Sequence, residues 1–263
     1  MTAAARALAA PLAKAQELPG AAFLLALLAA GFALASPQFL SPANLANVAL
    51  QSAALIIVSL GMTLVILTEG IDLSAGAVLG LCGVVMSMLL VSQGVPLPLA
   101  VRWFNEGSLL GVPVPVLAMV AIFGVTWVLL YRTRFGRYVF AIGGNRRALE
   151  LAGVPVRAWL VAVYAYAGLL AALASFIMTA RMNAAHPTIG IGLEFDAIAA
   201  VILGGTSFEK GNGGIWGTLV GALAVAVLRN GLNLIGLSTE WQVAVVGLVI
   251  VSAVAIDALR GRV

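Results

Sequence analysis

Val48-Ala49-Leu50-Gln51-Ser52-Ala53-Ala54-Leu55-Ile56-Ile57-Val58-Ser59-Leu60-Gly61-Met62-Thr63-Leu64-Val65-Ile66-Leu67-Thr68 carries no charged residue. A bilayer core about 30 Å thick needs roughly 20 apolar residues in helical form, and this stretch meets that length. The charge-free region reaches back to Leu18, too far for one span. Pro37 and Pro42, with Ser36, Ser41, Asn44 and Asn47, divide it in two. Further charge-free runs follow at 73–101, 107–131, 158–180, 197–208, 211–228 and 241–256. Alternation of the membrane-barrel kind is missing, and the runs are long and rich in Ala and Leu, so helices are expected rather than strands. The expected spans are about 20–36, 48–68, 74–92, 113–131, 158–180, 195–208, 213–230 and 239–258. The fold class is therefore all-α, a polytopic transmembrane helix bundle with about eight crossings. The sixth span, near 195–208, is short; a tilted, broken or re-entrant segment is tolerated there only where protein or water covers its backbone.

The whole composition agrees. Of 263 residues, 62% are hydrophobic and 9% charged, against about 25% charged in an ordinary soluble domain, and the mean hydropathy is +1.11. A soluble globular domain, a disordered chain and a disulfide scaffold are excluded. Cys82 is the single cysteine and His186 the single histidine, too few for a structural zinc site. The net charge of +4 speaks to orientation more than to nucleic acid. With the N-terminus inside, eight crossings bring the C-terminus back to the same side. The cytoplasmic face then holds Arg6, Lys14, Arg132, Arg134, Arg137, Arg146, Arg147, Arg157, Lys210, Arg260 and Arg262, and the outer face only Arg102, Arg181 and Arg229. Ala33-Leu34-Ala35 before Ser36 has the look of a signal-cleavage site. The long polar lead containing Glu17 and Pro19 favours an uncleaved first helix.

Catalytic patterns such as HExxH and GxSxG are absent from the sequence. Gly204-Gly205-Thr206-Ser207-Phe208-Glu209-Lys210-Gly211 imitates a phosphate loop but lacks the Gly-Lys-Ser/Thr order. Gly213, Gly217 and Gly221 stand four apart, as on a smooth helix stripe for close packing, within the chain or between subunits. Glu69, Asp72, Glu194, Asp196, Glu209 and Asp257 all fall near span ends. An ion-coupled carrier usually keeps an acid deep within a helix. Within the basic loop 132–157, Gly143-Gly144-Asn145-Arg146-Arg147-Ala148-Leu149-Glu150-Leu151-Ala152-Gly153-Val154-Pro155 reads as a miniature helix. Asn145 suits its start and Gly153 with Pro155 its end. Arg146 and Glu150 lie one turn apart, and Ala148, Leu151 and Ala152 form a small apolar face. Such a helix can plug a partner's groove or lie among lipid head groups.

Thr133-Arg134-Phe135-Gly136-Arg137-Tyr138-Val139-Phe140-Ala141-Ile142-Gly143-Gly144-Asn145, with Ala148 and Ala152-Gly153-Val154, resembles the cytoplasmic loop of bacterial ABC sugar-importer permeases of the ribose, xylose, arabinose and galactose type. The same resemblance (to the branched-chain amino acid/sugar permease superfamily) runs through Asn44-Leu45-Ala46-Asn47, the stretch from Leu60 to Gly76, Leu193 to Thr206, Gly213-Gly214-Ile215-Trp216-Gly217-Thr218 and Asn230-Gly231-Leu232. One departure stands out: between Val95 and Arg102, near residue 96, about two membrane segments of the family are missing, as by an internal deletion. Loss of two crossings preserves the inside/outside parity.

The resemblance implies residues 1–19 as a cytoplasmic N-terminal segment, 20–259 as the permease domain with its coupling loop at about 132–157, and 260–263 as a cytoplasmic tail. It implies a multi-pass protein of the bacterial inner membrane, no enzyme, paired with a second permease copy in a homo- or heterodimer. Its other partners would be an ABC ATPase and a periplasmic sugar-binding protein, with no nucleic acid. The chain itself would bind no cofactor or metal; ATP and Mg would be used by the ATPase. Gly143, Gly144, Asn145, Arg146, Leu151 and Gly153 are then the expected ATPase-coupling residues. Gly70, Asp72, Ser74 and Gly76 are expected at a turn near the pathway, although Asp72 and Ser74 equally suit a helix start. A transport-incompetent or companion-dependent shortened permease and an ion-coupled secondary carrier are the competing expectations.

Overall fold

The computed structural model describes residues 18–92, 101, 103–104, 107–109, 111–182, 184, 186–208 and 211–260. Among these the chain forms α1 (Leu18–Ala35), α2 (Pro42–Leu67), α3 (Ala75–Ser92), α4 (Val114–Arg132), α5 (Arg134–Leu151), α6 (Val156–Met182), α7 (Leu193–Leu203), α8 (Ile215–Leu234) and α9 (Thr239–Arg260). A two-rung antiparallel ribbon, β1 (Ser108–Leu109) with β2 (Val112–Pro113), precedes α4. The molecule is an all-α membrane bundle. The position of the missing segment, residue 96, lies outside the described residues, as do most of the N-terminal segment, Glu209, Lys210 and the last three residues.

The first charge-free run is divided where Pro37 and Pro42 stand, between α1 and α2. One boundary differs from expectation: Pro42 occupies the first turn of α2, where a missing N–H costs nothing, and Ser41 caps that turn, its hydroxyl oxygen accepting from the Asn44 amide at 3.2 Å. The helix therefore starts at 42 rather than 48. The sixth span is short, as expected: α7 has 11 residues and is about 16 Å long, half the hydrocarbon thickness. Four helices, α2, α4, α6 and α8, are long and apolar enough to cross a bilayer by themselves.

The core is built around α2. Of its most apolar stretch 89% is buried, against 22% for α4, because α4, α5, α6, α7 and α8 all pack on it. Two of its polar side chains bond to α8: Thr63 shares a 2.7 Å hydrogen bond with Thr218, and Asn44 exchanges two amide bonds of 2.9 Å with Asn230. These contacts make α2 and α8 antiparallel. The buried Ser59 hydroxyl has no partner among the described residues. Close approach to α6 occurs at Gly61, where an added Cβ would lie 3.0 Å from the Ala167 Cα. α1 lies across α8, the Phe32 ring filling the space over Gly231.

The helices α3 and α7 both start inside the bundle. Ser175 of α6 donates to the Leu79 carbonyl at 2.6 Å, and Gly83 faces Ser175 and Thr179. α3 therefore runs parallel to α6 and begins abreast of about residue 171, roughly 22 Å along α6 from Val156. α7 runs antiparallel to α8, with Ala200 against Gly221 and Gly204 against Gly217. Non-helical backbone at such depth is stable only when protein or a water-filled cavity surrounds it.

Candidate functional site

The basic loop contains a longer helix than the sequence suggested. Thr133 caps α5, its hydroxyl oxygen accepting from the Phe135 amide at 3.1 Å, and the helix runs to Leu151 with a bend at Asn145 (φ −164°, ψ 86°). Beyond the bend the miniature helix is closed at both ends. The Asn145 side chain accepts from the Ala148 amide at 2.9 Å. At the other end Gly153 adopts φ +78° while Val154 N–H reaches the Leu149 carbonyl at 3.0 Å, a Schellman closure. Arg146 and Glu150 pair at 3.0 Å in solvent, which adds only a few tenths of a kcal/mol. Leu151 is 82% exposed, an apolar side chain on an otherwise polar tip. Gly144 is exposed, with nothing near its α-carbon that explains the glycine.

The root of α5 is locked to the bundle at Gly143. A Cβ there would strike the Leu67 carbonyl oxygen at the end of α2 and come within 2.8 Å of the Gly211 Cα. Only glycine allows this approach. Leu67 ends α2, just before the 68–74 lead-in to α3, and Gly211 lies between α7 and α8. One residue of α5 thus touches the end of α2 and the approach to α8.

The first segment turns sharply at Glu69, in the left-handed region with φ 62°. Gly70 lies under the Tyr164 hydroxyl. Asp72, 8% exposed, accepts from the Ser74 amide at 2.8 Å and from its hydroxyl at 2.6 Å. The pair forms a tight turn immediately before α3. Gly76 in the first turn of α3 meets Gly190 and Glu194 backbone-to-backbone and backbone-to-carboxylate. One carboxylate oxygen of Glu194 accepts from the Gly192 amide at 3.3 Å. The other is buried against that turn, unpartnered among the described residues, where the helix dipole is positive and favours an anion. The starts of α3 and α7 therefore cross each other, each supplied with one carboxylate.

Of the residues expected from the sequence, Gly76 lies at this crossing, Asp72 and Ser74 form the turn just before it, Gly70 lies under Tyr164, and Gly143 touches Leu67 and Gly211. Asn145, Arg146, Leu151 and Gly153 form the outlying tip. The stripe Gly213, Gly217 and Gly221 needs correction. Gly213 lies before α8, with φ +131° and its α-carbon against Thr206; Gly217 and Gly221 alone form the seam, which receives α7 of the same chain. A pair that sequence reasoning missed is Asp196 with Arg229. Arg229 donates from Nη2 to Oδ1 at 2.6 Å, Nε stands 2.6 Å from Oδ2, and the two side chains are 27% and 6% exposed. The signal was a lone cation closing a charge-free run and a lone anion opening another. Chemically the arrangement offers no nucleophile with a base. It offers a rigid connection between an exposed tip and a crossing of helix ends.

Residues 99–254 match the family described as branched-chain amino acid transport system, permease component. The ribose import permease protein RbsC of Bacillus subtilis (strain 168) is 39% identical over 280 residues, covering 84% of this chain and 87% of that protein. The Escherichia coli (strain K12) protein of the same name is 38% identical over 281 residues, with 84% and 88% covered. The D-allose transport system permease protein AlsC of Escherichia coli (strain K12) is 31% identical over 300 residues, with 92% of both covered. Since 84% of 263 residues is about 221, about 59 of the 280 positions aligned with the Bacillus protein fall opposite gaps in this chain. No solved structure gives a significant match.

Proposed function

Because the chain belongs to the permease components of branched-chain amino acid transport systems, which are membrane subunits and not enzymes, we propose that it passes a monosaccharide of the ribose, xylose or galactose class across the bacterial inner membrane. A separate ABC ATPase drives it with ATP and Mg, and a periplasmic binding protein delivers the sugar. A second permease copy completes the membrane unit. The chain crosses eight times with both termini in the cytoplasm, the half-helix α7 serving as the helical part of the sixth crossing. The names of the ribose and allose relatives support the substrate class.

The contact at Gly143 carries this reading. The ATPase grips the tip around Leu151, and closure on ATP pushes α5 along its axis. Gly143 then bears on the Leu67 carbonyl and on Gly211 together, so the push reaches α3 through its lead-in and α7 through the chain that follows it. Their crossing at Gly76, Gly190 and Glu194 changes shape, and the pathway switches its open side. A switch of this kind needs a stiff element with different contacts in two states. Bent helices with interior ends near a substrate path are the recurrent transporter solution.

The test is sugar uptake into proteoliposomes holding the chain, its ATPase and its binding protein. Uptake that needs ATP supports the proposal, and uptake without ATP replaces it by an ion-coupled carrier. Leu151→Asp is expected to abolish ATPase association without lowering membrane insertion; unchanged co-purification would remove Leu151 from the coupling contact. The gap of about 59 positions favours one second reading, a shortened permease that works only beside a full-length companion. Uptake restored by co-expressing a longer permease, and absent without it, would establish that reading.

A further inference from the structure

The first half of α5 holds a feature that coupling leaves unused. Arg134, Arg137, Tyr138 and Ala141 stand at i, i+3, i+4 and i+7 on one helix face. With Leu149, turned back by the bend at Asn145, they line an open cavity of about 300 Å³. Neither arginine has an ion-pair partner among the described residues, whose two salt bridges are Arg146–Glu150 and Arg229–Asp196. Arg134 is also the first residue of its helix, where the dipole is positive. Beside the cavity an aromatic cluster forms: the Tyr138 ring stacks on Trp159 at 4.5 Å and 26°, and Phe135 lies 6.3 Å from Trp159. Half-buried Trp and Tyr side chains next to span ends mark the head-group level of a bilayer. The cavity thus opens among lipid head groups, with two guanidinium forks and a phenol facing inward.

We propose that this cavity binds the phosphate of an anionic phospholipid. The proposal rests on the cytoplasmic, membrane-edge position of α5 given under the proposed function. Guanidinium groups bind phosphate oxygens through paired N–H donors. A zwitterionic lipid would bring its own cation against Arg134 and Arg137, so a head group without one is preferred. The walls come from both sides of the Asn145 bend, so a bound head group clamps Leu149 toward Tyr138 and fixes the bend angle. Lipid composition then sets the stiffness of the lever.

The test uses the purified full chain, in nanodiscs of phosphatidylcholine with increasing phosphatidylglycerol, and native mass spectrometry of the lipids retained. Phosphatidylglycerol is expected to be retained over phosphatidylcholine by tenfold or more, on the order expected for two basic residues near the surface. Arg134→Gln with Arg137→Gln is expected to erase the preference, whereas Arg146→Gln with Arg147→Gln, outside the cavity, keeps it. Leu149→Trp fills the cavity without changing charge and is expected to erase it too. Preference surviving both the double glutamine variant and Leu149→Trp would overturn the proposal. So would inorganic phosphate displacing the retained lipid and stabilising the chain as well as the lipid does. Loss of ATPase binding by the double glutamine variant with lipid retention intact would make the arginines a subunit contact and overturn it as well. Retention needs neither ATP nor a partner, so failure of sugar uptake leaves this result readable by itself.

Discussion

The two breaks that lead into α3 and α7 reach the same crossing by different means. Residues 68–74 are fixed by their own polar side chains: Thr68 donates to the Val65 carbonyl at 2.8 Å, and buried Asp72 takes both the amide and the hydroxyl of Ser74. Residues 186–192 are a succession of turns closed by backbone bonds, Ile189 to His186, Ile191 to Thr188 and Leu193 to Gly190, each 3.1 Å, and Ile191 is 75% exposed. A break pinned by buried side chains resists local opening, and one made of exposed turns opens at low cost. In the proposed switch the α3 side is therefore expected to be the fixed wall of the crossing and the α7 side the moving one.

Four substitutions test that contrast. Gly143→Val strikes Leu67 and Gly211 at once and has the largest expected effect, loss of ATP-dependent uptake by more than tenfold while ATPase association persists; proteoliposome uptake and co-purification measure the two. Next is Asp196→Ala, which strands Arg229 and loosens the moving side. Breaking a fully buried pair costs about 3–5 kcal/mol; with Arg229 partly exposed the expected loss is about 2 kcal/mol, read as a lowered Tm in detergent. Asp72→Ala removes the turn that holds Ser74 on the fixed side and is expected to cost about 1 kcal/mol; no measurable loss would show that Asp72 does not pin residues 68–74. Ile191→Ser alters only an exposed turn, and its Tm is expected to stay within about 0.5 kcal/mol equivalent of the parent.

Charge-free runs were enough to find nearly every helix, because hydropathy over about 20 residues is set by the bilayer itself. The tip of α5 was legible for a similar reason: Asn145 and Gly153 do local jobs that nearby backbone alone defines. Other features depend on partners distant in sequence. Gly213 continues a four-residue spacing, yet its backbone answers to Thr206 rather than to a helix stripe. Asp196 and Arg229 are 33 residues apart and meet only because Gly217 and Gly221 bring α7 onto α8. The function of Gly143 is likewise invisible locally, since what excludes a side chain there is the end of a helix 76 residues earlier, at Leu67.

The enclosure of α2 bears on how the protein is made. The helices that wrap it, α4 to α8, all follow it in the chain and are synthesised later. Until they arrive it must reside in lipid unaided, which its all-round apolar surface permits. Ser59 and Thr63, which have no water there, are carried by a helix of mean hydropathy 2.2, and Thr63 meanwhile donates to the Ser59 carbonyl of its own helix at 2.7 Å. Biogenesis of the bundle therefore proceeds outward from a pre-inserted axle, and its late helices gather around a helix already in place.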